Sequence, residues 1–204
     1  MKVSIIRIAA IALFTFQSSL FTANAQSAKS VLDKAAVSVT VASGVKANFR
    51  MTTTTGNTSG TIAIKGKKFY ATTPQAKIWF DGKTQWTYLK NNDEVNVSNP
   101  TEAQLQAINP YNFINLYKNG YTYTMNTAGT NYVIHLTSNS ANRKIKELFI
   151  TVNKKSYEPM QVKMLQGKKW TTFDITSIKK EKIADSQFRF NSKDFPKAEI
   201  IDLR

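Results

Sequence analysis

From residue 45 onward the chain is written largely in a period of two. Ala47, Phe49 and Met51 alternate with Asn48 and Arg50, and Ile62 and Ile64 alternate with Thr61, Ala63 and Lys65. Such alternation marks half-buried strands. Phe69 and Ala71 continue it, then Ile78 and Phe80, then Trp86 and Tyr88 between Gln85 and Thr87. Asp81-Gly82 separates the last two runs, and an Asp-Gly pair between alternating runs is a strong hairpin signal. This stretch predicts large aromatics gathered on one face of an antiparallel sheet, with no acid, base or nucleophile among them. Val95 and Val97 follow as a short strand. Further on, the pattern returns in Tyr121/Tyr123/Met125, Tyr132/Ile134/Leu136, Leu148/Ile150/Val152, Met160/Val162/Met164 and Phe173/Ile175, with Phe188 and Phe190 closing the series. The run from Thr52 to Ser59 reads as a turn or a splayed strand end.

Helical spacing interrupts this alternation in few places. Leu32, Ala35, Ala36 and Val39 predict a helix over 28–43, stopped by Gly44. Asn99-Pro100 has the form of an N-cap followed by proline in the first turn, and Asn109-Pro110 repeats it. Phe113, Ile114, Leu116 and Tyr117 give the second of these short helices an apolar stripe, and Asn119-Gly120 ends it. The expected architecture is mainly β (α+β): one domain with a strongly curved antiparallel sheet or open β-barrel, an N-terminal helix and two short central helices.

The N-terminus carries a different message. Lys2 and Arg7 precede an apolar run from Ile8 to Phe16, and Ala23-Asn24-Ala25 has small residues at the positions a signal peptidase reads. Residues 1–25 are therefore expected to be a signal peptide cleaved after Ala25, leaving an exported domain over 26–204. There is no cysteine for a lipid anchor or a disulfide, so an ordinary hydrophobic core must hold the domain. Lacking cysteine and with His135 as the one imidazole, the chain is expected to hold no structural zinc and no cofactor. The formal net charge is +15, or +13 once Lys2 and Arg7 are removed. This balance favours anionic partners, and export argues against nucleic acid. His135 falls on the face opposite Ile134 and gives no sign of a catalytic constellation. Phosphate-binding and dinucleotide loops are absent, and a non-enzymatic protein is expected.

The order of these elements resembles that of the LolA family of periplasmic outer-membrane lipoprotein carriers, over nearly all of the chain after the signal. The similarity is carried by Leu32-Asp33-Lys34, Phe49, Gly60, Ile62-Ala63-Ile64-Lys65 and Phe69. It continues through Asp81-Gly82-Lys83-Thr84 with Trp86 and Tyr88, the Pro110 helix, Ile145-Lys146-Glu147-Leu148 with Ile150 and Val152, and the closing Phe188-Arg189-Phe190. The resemblance implies an unclosed β-barrel, lid helices over an apolar cavity, and shielding of lipoprotein acyl chains between two membranes. It also implies an inner-membrane lipoprotein-releasing complex as partner. One departure stands out. The family usually continues its Ile-Lys pair with Arg-Pro, the arginine being thought to latch the lid, whereas here Lys65 is followed by Gly66-Lys67-Lys68. A lysine lacks the planar fork of arginine.

The resulting expectation is a monomeric carrier of acylated lipoprotein or lipid. Its cavity walls are expected to be Phe49, Phe69, Ile78, Trp86, Tyr88, Tyr132, Ile134, Leu148, Ile150, Met160, Val162 and Met164. Its lid face is expected to be Phe113, Ile114, Leu116 and Tyr117. The alternative is an exported sensor or binding domain that uses the same half-barrel for peptide, lipid or a membrane-protein partner.

Overall fold

The computed structural model describes residues 27–101, 104–105 and 116–204. The proposed signal peptide, Pro110, Phe113 and Ile114 lie outside the described residues. Helix α1 (Ala28–Val39) begins at Ser27, whose Oγ accepts from the Ser30 backbone N–H at 3.1 Å. It ends four residues before the expected end at residue 43. Ser38 Oγ donates to the Ala35 carbonyl and Thr40 Oγ1 to that of Ala36. In this tail rich in valine, hydroxyls that bond back to the helix make it easy to end.

Among the described residues twelve strands form one open sheet. In chain order they are β1 (Val45–Thr53), β2 (Gly56–Lys65), β3 (Lys68–Thr72), β4 (Ala76–Phe80), β5 (Gln85–Leu89), β6 (Glu94–Ser98), β7 (Tyr121–Ala128), β8 (Asn131–Ser138), β9 (Ile145–Asn153), β10 (Pro159–Gln166), β11 (Lys169–Lys180) and β12 (Glu199–Asp202). The spatial order is β12-β6-β5-β4-β3-β2-β1-β11-β10-β9-β8-β7. Hairpins build both halves, and β1 with β11 joins them. All pairs are antiparallel except β12 with β6. The Thr52–Ser59 run is not a splayed end: β1 and β2 stay paired up to Thr53 opposite Gly56.

Three expectations on local structure are corrected. Phe188 does not belong to a strand; it closes the 3-10 turn Asp185–Phe188. The cap near residue 100 is Thr101, not Asn99. Thr101 Oγ1 accepts from the Gln104 N–H, and Gln104 Oε1 accepts from the Thr101 N–H at 2.8 Å, a reciprocal capping box. Asn99 instead accepts from Thr84 Oγ1 at 3.0 Å. Asp81-Gly82 is not a two-residue turn. Phe80 pairs with Gln85, so the loop has four residues. Asp81 Oδ1 accepts from the backbone N–H groups of Lys83 and Thr84 and fixes it.

The two faces of the sheet carry different cores. On the inner face α1 lays Val31, Leu32, Ala35 and Val39, all at most 1% exposed, against strands of both halves. On the outer face of β2–β6 lies the C-terminal segment. Ile183 and Phe188 pack there with Ala63, while Phe190 and Phe195 meet Trp79 edge-on.

Candidate functional site: the inner face of the open sheet

Register decides which side chains share a face. Along one line across the sheet, Met125, Ile134, Ile150, Val162, Phe173 and Met51 are successive cross-strand partners, from β7 to β1. Beside it run Tyr123, Leu136, Leu148 and Met164. In the other half, Ala47, Ile62, Ala71 and Ile78 form one line, and Val45, Ile64, Phe69 and Phe80 another. The inner face is thus an apolar trough that runs from β7 to β4. Phe49 closes a gap in it by laying its ring over Gly60, where a methyl group would come within 2.6 Å of the ring. Glycine is required there by close approach.

This trough collects Phe49, Phe69, Ile78, Tyr132, Ile134, Leu148, Ile150, Val162 and Met164 of the expected walls. Most are deeply buried. Ile78, Tyr132, Met51, Tyr123 and Met125 are partly solvated, and they pack on the same cluster from its rim. Three expected wall residues lie elsewhere. Trp86 pairs with Trp79, and Tyr88 with Lys77, on the outer face. The reason is parity. A four-residue loop between Phe80 and Gln85 sets Phe80 and Ile78 opposite Gln85 and Thr87, so Trp86 and Tyr88 must point the other way. Tyr88 instead packs its ring, tilted by 53°, against Phe195, with its hydroxyl donating to Asp93. Met160 is 42% exposed because a bulge skips it between Pro159 and Gln161.

The described lid residues, Leu116 and Tyr117, are both buried with the inner-face cluster. The Tyr117 hydroxyl donates to Asp33 Oδ1 at 2.6 Å, and Lys29 pairs with Asp33 Oδ2 at 2.7 Å. Burial, and then the Asp33 carboxylate, push the Tyr117 hydroxyl above the ordinary phenol range. The Lys29 and then the Tyr117 hydrogen bonds hold Asp33 below the usual carboxylate range. Near its C-terminal end α1 is tied by Ser38 Oγ to the Tyr157 carbonyl at 3.2 Å. Sequence reasoning missed Asp33 and Tyr117 as partners. The i, i+4 spacing signals only the Lys29–Asp33 pair within the helix; the contact with Tyr117, 84 residues away, carries no local signal.

His135 lies outside the trough, as expected. It stacks on Phe149 at 4.2 Å and meets Glu147 Oε2 at 2.9 Å. Two open clefts, of about 380 and 520 Å³, also lie on the outer face, between the C-terminal segment and β3–β4.

The sequence profile described as outer membrane lipoprotein carrier protein LolA matches residues 18–168. The chain belongs to the LolA family. It shares its fold with an uncharacterised conserved protein from Thermus thermophilus, at 12% identity and a TM-score of 0.59 over 87% of this chain and 99% of that one. A LolA superfamily protein from Nitrosomonas europaea matches at 11% identity and a TM-score of 0.43, over 80% and 97% of the two chains. The MucA/MucB complex of Pseudomonas aeruginosa matches at 12% identity and 0.41, over 80% and 60%. No curated protein matches the sequence. The family is a binding and carrier family, not one known for catalysis, and it is tied to lipoproteins and the cell envelope.

Proposed function

We propose that this LolA-family protein is exported, loses its signal after Ala25, and carries the acyl chains of a lipoprotein or lipid on its inner face toward the outer membrane. The observation that supports this most is the unbroken apolar line from Met125 to Met51, with partly solvated residues at its rim. Family membership is the second support.

The trough is occupied by α1, so loading requires α1 to yield. Magnitudes favour this. Each large α1 side chain held in the trough contributes about 1.5–3 kcal/mol, and Val31, Leu32 and Val39 are three of them. A sixteen-carbon acyl chain brings roughly 12 kcal/mol at ~0.8 kcal/mol per methylene. One chain therefore outweighs the helix, and two outweigh it amply. The polar ties of α1 to the rest of the fold include Tyr117 to Asp33 and Lys34 to the Tyr157 hydroxyl at mid-helix, and Ser38 to the Tyr157 carbonyl near its C-terminal end. Asp33 with Tyr117 takes the place of the latch arginine that the chain lacks. The basic surface docks the acidic side of an inner-membrane releasing complex or anionic headgroups.

The test is photolabelling with a diazirine-bearing palmitoyl lipopeptide, mapped by mass spectrometry. Labels on Met125, Val162, Phe173 or Met51 are expected. Labels confined to the outer aromatics Trp79, Tyr88 and Phe195 would overturn the reading.

A further inference from the structure

The two edges of the open sheet are unlike. One edge, β12, has four residues, carries Glu199 and Asp202, and pairs parallel with β6. Short length and charge are the usual guards of an edge strand. The other edge, β7, has none of them. Its eight residues, Tyr-Thr-Tyr-Thr-Met-Asn-Thr-Ala, include no charge, no proline and no glycine. It pairs with β8 in unbroken register from Tyr121 opposite Ser138 to Ala128 opposite Asn131. Among the described residues no strand pairs with its second side. Thr122, Thr124 and Asn126–Ala128 are exposed. Half of the backbone N–H and C=O groups of such a strand point away from the sheet, and they form a row ready for another chain.

Basic side chains lie at both ends of this edge, while the acidic Asp33 of α1 sits on its inner side, paired with Lys29 and Tyr117. At the Tyr121 end, Arg143 lies over the Tyr121 ring at 5.1 Å, and Lys118 is three residues upstream. Gly120, at φ +77°, leaves the space that the Arg143 guanidinium fills. At the Ala128 end, Lys154 donates to the Gly129 carbonyl at 2.8 Å and lies over the Tyr132 ring.

We propose that β7 is a docking edge on which a partner polypeptide adds an extended, acidic segment as a further strand. Main-chain hydrogen bonds supply the affinity, and the basic residues at both ends select acidic sequence. A second copy of this chain is the wrong occupant. Antiparallel pairing of β7 with its twin would bring Arg143 of each copy to Lys154 of the other, between chains that are both strongly basic. Alternate side chains of the added strand would fall beside Tyr123 and Met125, at the end of the apolar trough. The inference does not depend on acyl binding.

The probe is a ten-residue peptide alternating valine with aspartate, against the same peptide with lysine for aspartate, read by amide hydrogen exchange of the protein. At millimolar aspartate peptide, alternate β7 amides should gain at least tenfold protection, and the lysine peptide should give none. Thr124→Glu with Asn126→Glu, both at exposed positions, should weaken the effect at least fivefold while protection in β8 and β9 is unchanged. Arg143→Ala with Lys154→Ala should weaken it and flatten its salt dependence. Equal response to both peptides, protection gained only on other strands, or β7 protection that rises with protein concentration alone would overturn the proposal.

Discussion

The half of the sheet formed by β7–β11 and the flap formed by β5 and β6 are built from the same alternation, yet they bury opposite faces. In β8 and β9, Ile134, Leu136, Leu148 and Ile150 turn inward to α1. In β5 and β6, Gln85 and Thr87 take the inner side, while Val95 and Val97, at most 4% exposed, turn outward toward the C-terminal side. Strands β3 and β4 lie between the two regimes and are apolar on both faces: Phe69 and Phe80 inside, Tyr70 and Trp79 outside. A sheet with one regime needs one cover. This one needs two, and the two covers have different chemistry. Helix α1 meets the trough through aliphatic side chains and few polar ties. The C-terminal segment is bolted on by aromatic contacts and by charges: Asp185 pairs with Lys65 and Lys68, each at 2.9 Å, and Arg189 with Asp81 at 3.3 Å. Lys65 also donates to the Ile183 carbonyl. On the proposed loading, the helix that yields is held by groups that an acyl chain can replace, and the C-terminal segment by groups that it cannot.

This contrast is most easily broken at its cores. Phe188 is fully buried under the outer cover, and Leu148 is fully buried in the trough. Phe188→Ala should cost about 3–5 kcal/mol and Leu148→Ala about 2–5 kcal/mol, from lost transfer energy and a residual cavity. Denaturant melts would read the totals. Hydrogen exchange would read the division: Phe188→Ala should lower protection first in β3, β4 and the segment around Ile183, against which Phe188 packs, and Leu148→Ala in β8 and β9. Identical exchange patterns would mean that the two covers form one cooperative unit.

The division was partly legible in the sequence. Alternation places Tyr121, Ile134, Ile150 and Phe173 correctly, because each strand has one apolar face and the core takes it. It does not say which face of one strand continues which face of the next. That depends on the number of residues in the connecting loop. Between Phe80 and Gln85 the count is even, so Phe80 and Trp86 cannot share a side. Even a two-residue turn at Asp81-Gly82 would have kept them apart, so the error was avoidable from the sequence. The bulge that ejects Met160 and the 3-10 turn at Asp185–Phe188 are different. They follow from packing against distant segments, which local spacing does not encode.

A smaller effect separates the covers by pH. The hydrogen bonds from Lys65 and then Lys68 hold the Asp185 carboxyl down to about 2, against an ordinary 3.8. Its folded value is depressed, so its contribution is fully present above the ordinary value and is lost as pH falls from there toward 2. Because the pair is well exposed, salt should mute it. Acidification from pH 5 to pH 2 should therefore loosen the C-terminal segment, seen as proteolysis near residues 183–195 by an acid protease. Asp185→Asn should remove that part of the pH response. An unchanged response in the variant would assign it to other carboxylates.

The smallest expected effect is also the sharpest test of which face takes the cargo. The three tryptophans, Trp79, Trp86 and Trp170, lie on the outer side of the ladder: Trp79 pairs with Trp86, and Trp170 with Leu165, one position out of phase with Met164 and Thr171. Trp79 is sealed by Phe190 and Phe195, and Trp170 lies near Phe149 with Lys163 over its ring at 4.6 Å. An acyl chain that enters the trough displaces α1 and leaves these surroundings as they are. Tryptophan emission should then shift by no more than a nanometre or two on saturation with palmitoyl lipopeptide, while a dansyl-labelled acyl chain in the same titration should brighten strongly as it leaves water. A tryptophan introduced on the inner line by Met125→Trp should respond where the native three do not. A large blue shift or quenching of the native emission, with Met125→Trp silent, would move the binding site to the outer face and to the clefts beneath the C-terminal segment.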